Sequence, residues 1–329
     1  MVRRTNAILL GLAAAAFVTG WLAFVYATAP GRWVLIAHAV AGCALVLLIP
    51  AKTVISRAGV ARRRGGWWLS LILAGLIVVS LAAGFAHSLG APWLPAGLTA
   101  LDFHVGAALL LVPLFLWHVI ARPIRLRPAD LSRRHLLKAG VLLSGAVGLY
   151  AATEVGDRLA GWPGARRRFT GSYQIGSGDP DGLPATQWLF DQVPNVNGEG
   201  WALSAGGRRV SYARLDACGD RVRATLDCTG GFSSEHEWEG CLLGRLLPAG
   251  AGATIRVRSV TGYERLFPIQ DAHRLLLATR IDGETLSAGN GFPVRLVAPD
   301  RRGYWWVKWI ESVDLDERPY WLQLPFPLH

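Results

Sequence analysis

One cysteine in the second half of the chain has the surroundings of a metal ligand. Cys228 follows a short β-type run, and Thr229-Gly230-Gly231 turns the chain immediately after it. Glycines carry no Cβ, so they let the backbone approach a bulky ligand closely. A thiolate at the end of a strand beside such a turn can coordinate a soft or high-valent metal. The alternative is a buried cysteine that packs as a small hydrophobic side chain.

Four histidines in the first half, His38, His87, His104 and His118, form a second candidate set. They lie in apolar segments, where an ionisable side chain is costly and usually functional. His104 and His118 fall on nearly one helix face, ~21 Å apart along the axis. Cofactors in helical bundles are bound by side chains from facing helices. The alternative is that these histidines form hydrogen bonds within a bundle or lie at its surface, His87 first among them.

Composition shows which elements must position these residues. The chain has 329 residues, is 52% hydrophobic and has a mean hydropathy of +0.31, which is high for a soluble protein. Residues 1–161 contain 15 basic against 4 acidic residues, so they carry the whole net charge of +11. Basic residues between apolar segments are typical of a membrane protein. A nucleic-acid-binding domain would place them on a folded face instead, so we expect no nucleic-acid partner.

Five apolar segments are long enough to span a bilayer, which needs ~20 residues of helix. They cover residues 7–29, 33–55, 67–88, 101–121 and 136–155. Arginines and lysines fall in alternate linkers, so the positive-inside rule places the N-terminus in the cytoplasm. Five crossings then place the C-terminal domain outside it, and we expect a multi-pass protein of the cytoplasmic (inner) membrane.

An internal repeat favours a haem. HAVAGCALVLLIPAKTVISR, beginning at His38, parallels HVGAALLLVPLFLWHVIAR, beginning at His104. The two segments resemble small b-type membrane cytochromes, in which two helices each offer a histidine to one haem. The resemblance implies one outer haem b bound by His38 and His104, with His87 as substitute ligand. An inner haem on His118 lacks a second histidine, because Lys52 falls at the matching position.

The segment Ser132-Arg133-Arg134-His135-Leu136-Leu137-Lys138 precedes a Gly/Ala-rich apolar stretch. It resembles a twin-arginine export signal, which the export machinery reads as an address. The resemblance implies that the following domain folds with its cofactor before it crosses the membrane. The alternative is an arginine anchor for the fifth helix. We expect three regions: a four-helix cytochrome-like domain at 1–130, the signal and fifth helix at 131–160, and an extracytoplasmic domain at 161–329.

Two segments of that last domain resemble the sulfite oxidase superfamily of molybdopterin enzymes. LDCTGG with EWEG and LLGRLL resembles the segment that carries the cofactor cysteine, and SAGNGFPVRLVAPDRRGYWWVKWI resembles the C-terminal pterin-binding segment. The resemblance covers roughly residues 170–316. It implies a multi-domain protein, an all-α transmembrane bundle followed by a mixed α+β domain of the sulfite oxidase type, with molybdopterin as cofactor.

The pattern of the family's periplasmic methionine sulfoxide reductase branch implies a residue set. Cys228 matches the molybdenum ligand, Ser259 a pterin contact, and Arg295 and Lys308 the donors that bind a dianionic phosphate. The remaining implied cofactor contacts are Asn290, Trp306, Val307 and, in a looser match, Gln187, Phe190 and Asp191. The alternative for Arg295 and Lys308 is surface charge on alternating strands.

The sequence indicates less clearly which residues act on the substrate. His236 is the nearby group that titrates near neutral pH, so it is a candidate proton donor, and a surface loop residue is the alternative. No arginine follows Cys228 until Arg245, whereas the sulfite-oxidising branch has one close behind its cysteine. We also expect strands at 222–227, 254–260, 274–281, 293–298 and 304–315 and helices at 211–216 and 241–247. Cys218 and Cys241 could form a disulfide outside the cytoplasm.

These features predict a membrane-bound molybdopterin-dependent oxidoreductase. It would transfer an oxygen atom to or from a small sulfoxide-, N-oxide- or sulfite-like substrate and exchange electrons with the quinone pool through haem b. One alternative is a membrane-anchored, non-catalytic module with the same cofactor fold. The other is the same enzyme on a haem-free anchor.

Overall fold

The computed structural model of the chain describes residues 2–25, 27–61, 65–90, 98–123, 132–187, 191–198, 200–247 and 254–323. It divides into two compact units. The helical unit comprises Met1–Phe24 and Ala29–Gly171, and the C-terminal unit comprises Val25–Thr28 and Ser172–His329.

Long apolar helices make up the helical unit. They are α1 (Val2–Val25), α2 (Gly31–Ala61), α3 (Trp67–Ser88), α4 (Ala100–Ala121) and α5 (Arg133–Ala160). In the described part of the chain, these five helices are long and apolar enough to cross a membrane by length and composition. The five predicted segments are therefore confirmed as helices. α2 and α5 extend beyond their predicted segments at both ends, α3 coincides with its segment, and α1 ends at Val25 instead of residue 29.

Packing inside the helical unit pairs α3 with α4 and α2 with α5. Small side chains form the tightest contact, where Cys43 and Ala44 of α2 meet Ala146 of α5. Large apolar side chains remain exposed on the outward faces, for example Leu110 (64%) and Ile120 (78%) on α4. A helix that is apolar all round is buried in a large protein or in a membrane, because exposing so much apolar surface to water is unfavourable.

Two mixed sheets form the C-terminal unit. The first is six-stranded, with β1-β5-β8-β10 in order, β4 paired to β5 and β9 paired to β8. The second is five-stranded, in the order β3-β2-β11-β6-β7. The strands are β1 (Tyr173–Gln174), β2 (Ala202–Ala205), β3 (Arg208–Ser211), β4 (Asp220–Asp227), β5 (Phe232–Leu242), β6 (Thr254–Ser259), β7 (Glu264–Pro268), β8 (Leu276–Ile281), β9 (Glu284–Thr285), β10 (Arg295–Val297) and β11 (Ile310–Asp316).

Several sequence expectations hold in this unit and two do not. The helix predicted at 211–216 is present as α6 (Tyr212–Asp216), with Ser211 capping it by accepting a hydrogen bond from Arg214 N. The helix predicted at 241–247 is wrong, because β5 runs to Leu242 and only a 3₁₀ turn, Leu243–Arg245, follows. Instead of one strand over 304–315, a 3₁₀ turn at Gly303–Trp305 precedes β11.

Strands β4 and β5 form a long antiparallel hairpin that positions the cysteine. The ladder runs from Asp220 opposite Gly240 to Asp227 opposite Ser233. It closes where Cys228 N donates to Phe232 O at 2.8 Å and Gly231 N donates to Cys228 O at 3.2 Å. Gly231 has a φ of 92°, a conformation that glycine adopts without steric cost. Cys228 is therefore fixed at the tip of the hairpin.

A disulfide joins Cys218 and Cys241 at the opposite end of the same hairpin. Cys241 is fully buried in β5, and Cys218 follows α6. The predicted pairing is thus present. The described cysteines left as free thiols are Cys43 in the helical unit and Cys228.

Candidate functional site

Three separate segments converge on Cys228. The side chain of Cys228 is half-buried, and its Sγ accepts a hydrogen bond from Gly230 N at 3.4 Å and lies 3.5 Å from Thr186 Oγ1. Arg295, at the start of β10, interacts electrostatically with the thiol. Lys308, before β11, does the same. The cysteine, the arginine and the lysine predicted from the sequence therefore share one site.

Arg295 is a buried cation with spare hydrogen-bonding capacity. Its side chain is 1% exposed, and Nη1 donates to Asn290 O at 3.0 Å. The guanidinium lies over the rings of Trp238 and Trp306, 4.9 Å and 5.6 Å from their centroids. Its Nε is buried without a hydrogen-bond partner. Burial lowers the pKa of Arg295 to about 10, so the group remains cationic at neutral pH. An unsatisfied buried donor of this kind calls for an acceptor, which an anionic ligand supplies.

Lys308 lies beside Arg295 and is held by three oxygens. Nζ donates to Gly289 O at 2.6 Å, Thr186 O at 2.9 Å and Gln187 Oε1 at 3.3 Å. Burial first, and then the charge of Arg295, lower the pKa of Lys308 to about 7. An anion bound between the two cations would raise this pKa again, because it favours the charged amine. Gln187 thus lies beside Lys308, and its predicted contact with the cofactor stays a prediction.

Gly291 allows this close approach. It has a φ of 112°, and a Cβ built on it would lie 2.9 Å from Arg295 Cβ and 3.3 Å from Lys308 Cβ. Any larger residue would push the two cations out of place. The glycine of the NGFPVR segment is therefore required for the geometry of the site.

The other predicted cofactor contacts fall into two groups. Asn290 is buried and supports Arg295 through its carbonyl, and Trp306 supports the same guanidinium through its ring. Val307 is buried, and its carbonyl accepts from Leu296 N at 2.7 Å, so its backbone is engaged within the protein.

Ser259 and Asp191 lie together at the end of β6. Thr261 Oγ1 donates to Asp191 Oδ2 at 3.2 Å and to Ser259 Oγ at 3.1 Å. Asp191 also acts electrostatically on Lys308. These two predicted contacts are therefore linked to each other and to the site. Phe190 lies outside the described residues.

An arginine missed from the sequence holds the backbone of the cysteine. Arg302 is 3% exposed, and its guanidinium donates to Asp227 Oδ1 at 2.6 Å and to Cys228 O at 3.1 Å. Asp227 also accepts from Ser172 Oγ at 2.7 Å. The sequence alone does not link Arg302 to Cys228, because 74 residues separate the two. The signal that the sequence did carry was its place in the PDRRGYW segment, four residues before Trp306.

His236 is a buried strand residue, so the surface-loop alternative is wrong. It lies in the middle of β5, is 2% exposed, and packs edge-to-face on Trp238. Its Nδ1 is 2.5 Å from Asp282 Oδ2, and its Nε2 is 2.7 Å from Ser234 Oγ. In the ladder it pairs with Ala224, four residues before Cys228. Among the described residues, its ring bonds to Asp282 and Ser234 and not to the thiol, so a direct role at the metal stays a prediction.

In the helical unit, two of the four histidines face each other. The rings of His38 in α2 and His104 in α4 meet edge-to-face with centroids 5.6 Å apart. His38 Nδ1 bonds to Ala16 O at 2.8 Å, and His104 Nδ1 bonds to Ser80 O at 2.7 Å. A carbonyl only accepts, so each Nδ1 donates to its carbonyl, which leaves Nε2 as the ring nitrogen that a metal could use. Metal-binding histidines have this arrangement, with the second nitrogen donating to a backbone carbonyl.

Glycines flank both rings. A Cβ on Gly20 of α1 would lie 2.8 Å from the His38 ring, and one on Gly84 of α3 would lie 2.9 Å from the His104 ring. His87 and His118 differ from this pair. His87 Nε2 donates to Gly171 O at 3.0 Å, and His118 Nδ1 is buried without a hydrogen-bond partner. The structure thus brings together the two histidines predicted as primary ligands.

Comparison with known proteins bears on the C-terminal unit. Residues 192–321 match the family model for the oxidoreductase molybdopterin binding domain. The match supports the resemblance of this segment to molybdopterin-binding oxidoreductases. Cys228, Ser259, Asn290, Arg295 and Lys308 lie inside the matched segment, and Gln187 and Asp191 precede it.

Among solved structures, the chain is similar to the sulfane dehydrogenase SoxCD from Paracoccus pantotrophus. The sequence identity is 20% and the TM-score 0.35, over 38% of this chain and 40% of that one. The chain thus spans less than half of that solved protein. No curated protein matches the chain.

Proposed function

We propose that the protein is a membrane-bound molybdopterin-dependent oxidoreductase that transfers an oxygen atom to or from a small substrate outside the cytoplasm. Its electrons would be exchanged with the quinone pool through one haem b. The observation that carries the proposal is the convergence of a free thiol, Cys228, with two buried cations, Arg295 and Lys308, in a molybdopterin-binding oxidoreductase domain.

The residues present fit the cofactor. Cys228 supplies a thiolate for the metal, and the unpartnered Nε of Arg295 and the amine of Lys308 supply charge-assisted donors for the phosphate. A cysteine ligates a metal as its thiolate, and Arg295 and Lys308 interact electrostatically with Cys228. When bound, the molybdenum centre supplies the two-electron chemistry that moves an oxygen atom on or off the substrate.

The chain's own residues hold and orient this chemistry. Arg302 fixes the backbone carbonyl of Cys228, so the thiol cannot rotate away with the hairpin tip. Arg295 and Lys308 neutralise the anionic end of the cofactor, and Trp238 and Trp306 keep water from the guanidinium. Preorganised groups of this kind cost no rearrangement during the reaction.

The substrate class follows from what surrounds the thiol. Neither of the two arginines described near Cys228 is open to a substrate, because Arg302 is paired with Asp227, and Arg295 is fully buried and assigned to the cofactor phosphate. Neither forms an open cationic pocket for a small dianion such as sulfite. We therefore favour a neutral oxygen donor of the sulfoxide or N-oxide type, with a sulfite-like substrate as the second candidate.

The helical unit supports the electron-transfer part of the proposal. Five apolar helices with exposed apolar faces fit a bilayer, and the proximity of the His38 and His104 rings, with centroids 5.6 Å apart, supports a shared haem. When bound, the haem carries single electrons between the quinone and the molybdenum centre. The twin-arginine export machinery would be the partner that moves the folded domain out of the cytoplasm.

Metal analysis with a reduced-minus-oxidised spectrum of the detergent-purified protein tests the proposal. We expect close to one molybdenum per chain and a b-type absorption band. Cys228→Ala should lose molybdenum and keep the haem band, whereas Cys43→Ala, at the other free thiol, should keep both. Wild type without molybdenum would overturn the enzyme, and molybdenum without the haem band would leave the enzyme on a haem-free anchor.

A further inference from the structure

Three hydrogen-bonded side chains form a line that starts just after β8 and continues along β5, in the sheet that carries Cys228. Ser234 Oγ is 2.7 Å from His236 Nε2, and His236 Nδ1 is 2.5 Å from Asp282 Oδ2. Ser234 is fully buried and His236 is 2% exposed, whereas the Asp282 side chain retains 22% of its surface. The line therefore runs from a carboxylate in contact with solvent to a hydroxyl inside the domain.

The buried end of this line shares a sheet face with the cysteine. Ser234 pairs with Leu226 in the β4–β5 ladder, and cross-strand partners point to the same side. Alternation along β4 puts Cys228, two residues after Leu226, on that side as well, ~7 Å further along the strand. Trp238, on the same face, lies beneath the guanidinium of Arg295. The hydroxyl of Ser234 thus lies on the face that forms the floor of the cofactor site.

A nucleophilic hydrolase also aligns a serine, a histidine and an aspartate. Here the serine has no exposed surface and lies inside a strand, so no acyl substrate can reach its oxygen. A nucleophile is therefore excluded, and transfer of protons is what the line can do.

We propose that Ser234, His236 and Asp282 form a proton relay between solvent and the molybdenum site. The inference rests on the proposed function, because it supplies what oxygen-atom transfer needs. Reduction of a substrate XO consumes two protons and two electrons and releases X and water, and quinol is the electron source. Oxidation of X runs the same equation backwards and delivers the electrons to quinone.

Each proton enters or leaves one at a time. In the inward direction Asp282 takes a proton from water and passes it to His236 Nδ1. The Nε2 proton of His236 would then move to Ser234 Oγ, and Ser234 would pass its own proton towards the cofactor side of the sheet, to end in the product water. The outward direction reverses each transfer. The carboxylate of Asp282 stabilises the imidazolium that forms on His236 in either direction.

The backbone holds the carboxylate in place for this role. Asp282 has a left-handed φ of 47°, and its Oδ1 accepts from Glu237 N at 2.7 Å. Its own N–H donates to Glu237 O at 2.7 Å. The second oxygen is thereby aimed at the ring of His236.

The charges around His236 leave Asp282 as its ionic partner. Glu235 and Glu237 flank it in β5, but they point to the opposite face and pair with Arg223 and Arg221. From β4, the cross-strand neighbour is Ala224. Arg295 is separated from His236 by the ring of Trp238.

The first test requires neither metal nor substrate. In the full-length protein with ¹⁵N-labelled histidine, NMR would follow solvent exchange of the His236 ring proton, with His236→Gln giving the assignment. A relay histidine exchanges quickly through Asp282, so Asp282→Asn should slow the exchange at least tenfold. Thr279→Val, which removes another buried hydrogen bond, to Asp216, is the control and should leave the exchange unchanged.

The second test uses the molybdenum-loaded protein and reduced viologen as electron donor. We expect Asp282→Asn and Ser234→Ala to keep the wild-type metal content. After one turnover with dimethyl sulfoxide, re-reduction of the metal by reduced viologen, the half-reaction that consumes the two protons, should be 10- to 100-fold slower than in wild type. The rate that remains in each variant should fall more in D₂O, relative to H₂O, than the wild-type rate does. Small carboxylic acids such as formic acid should restore part of the rate in Asp282→Asn.

Unchanged ring-proton exchange in Asp282→Asn would overturn the relay. So would rates of metal re-reduction in Asp282→Asn and Ser234→Ala that equal the rate of Thr279→Val at equal metal content. The metal content of the wild type tests the proposed function independently of the relay. A wild type without molybdenum overturns that function, while the exchange measurement still decides whether protons pass along the line.

Discussion

Arg302 and Asp227 form an ion pair that is shut off from solvent, with side chains 3% and 1% exposed and a donor–acceptor distance of 2.6 Å. The ion pair also anchors the cysteine, because the same guanidinium donates a hydrogen bond to Cys228 O. Removing one partner of a buried pair leaves the other charge uncompensated, which costs far more than the pair itself contributes.

We therefore expect Arg302→Met to lower the free energy of unfolding of the C-terminal unit by about 3–5 kcal/mol. Molybdenum content should fall with it, because the hairpin tip loses its anchor. Arg221→Gln, which breaks an ion pair with a 61% exposed arginine, should cost ~1 kcal/mol or less. Denaturant titration of the three proteins, followed by tryptophan fluorescence, checks this, and equal losses in both variants would contradict it.

Lys308 makes the stability of the cofactor-free protein depend on pH. Its pKa is about 7 in the folded state, because burial and Arg295 disfavour the charge, against 10.5 ordinarily. Between these two values the unfolded chain binds more protons than the folded chain, so the free energy of unfolding rises with pH. The rise is at most about 1.4 kcal/mol per pH unit and stops above pH 10.5.

Lys308→Met should remove this slope, so its denaturation midpoint changes less than that of wild type between pH 7.5 and pH 9. Arg245→Met, at a 60% exposed position, keeps Lys308 and should retain the wild-type slope. A wild type whose stability is flat over this window would show that Lys308 keeps its ordinary pKa.

The histidine pair gives a spectral prediction. His38→Ala and His104→Ala should each abolish the b-type absorption band of the membranes, since each removes one proposed ligand. His87→Ala should keep the band, because His87 Nε2 already donates to Gly171 O. Gly84→Val should weaken the band, since a Cβ would lie 2.9 Å from the His104 ring. A band lost in His87→Ala and kept in His38→Ala would assign the ligands differently.

The disulfide gives a prediction on stability. Cys218→Ser should lower the free energy of unfolding by about 3 kcal/mol, because it opens a covalent loop of 23 residues' separation. Thiol titration of the unfolded, unreduced protein should show two free thiols in wild type and three in the variant, from Cys43, Cys228 and the released Cys241. Four thiols in wild type would mean that the bond does not form.

Much of the site was predictable because its residues lie in two contiguous segments. LDCTGG and NGFPVR carry Cys228, Asn290 and Arg295 in motifs whose residue types are dictated by the cofactor. The helices were predictable because a membrane span requires a long apolar run. His38 and His104 could be paired because the repeat places them at equivalent positions in α2 and α4.

What the sequence hid depends on contacts distant along the chain. The segment GFSSEHEWEG lacks hydrophobic alternation, so the first half of β5 looked like a loop, and His236 with it. Its polar residues are tolerated inside the sheet because partners from elsewhere satisfy them, as Asp282 does for His236. Arg302 was missed for the same reason, since its aspartate comes from β4. The helix expected at 241–247 failed because pairing with β8 overrode the leucine-rich composition.

The β4–β5 hairpin also separates two kinds of sulfur. Cys218 and Cys241 are joined at one end, and Cys228, which must stay reduced to bind a metal, lies at the other. Eight ladder residues span ~27 Å, whereas a disulfide requires Cα atoms within ~7 Å. Once the ladder has formed, an oxidant cannot couple Cys228 to either neighbour in the sequence. The paired hairpin therefore acts as a spacer that keeps the metal ligand out of reach of the two cysteines of the disulfide.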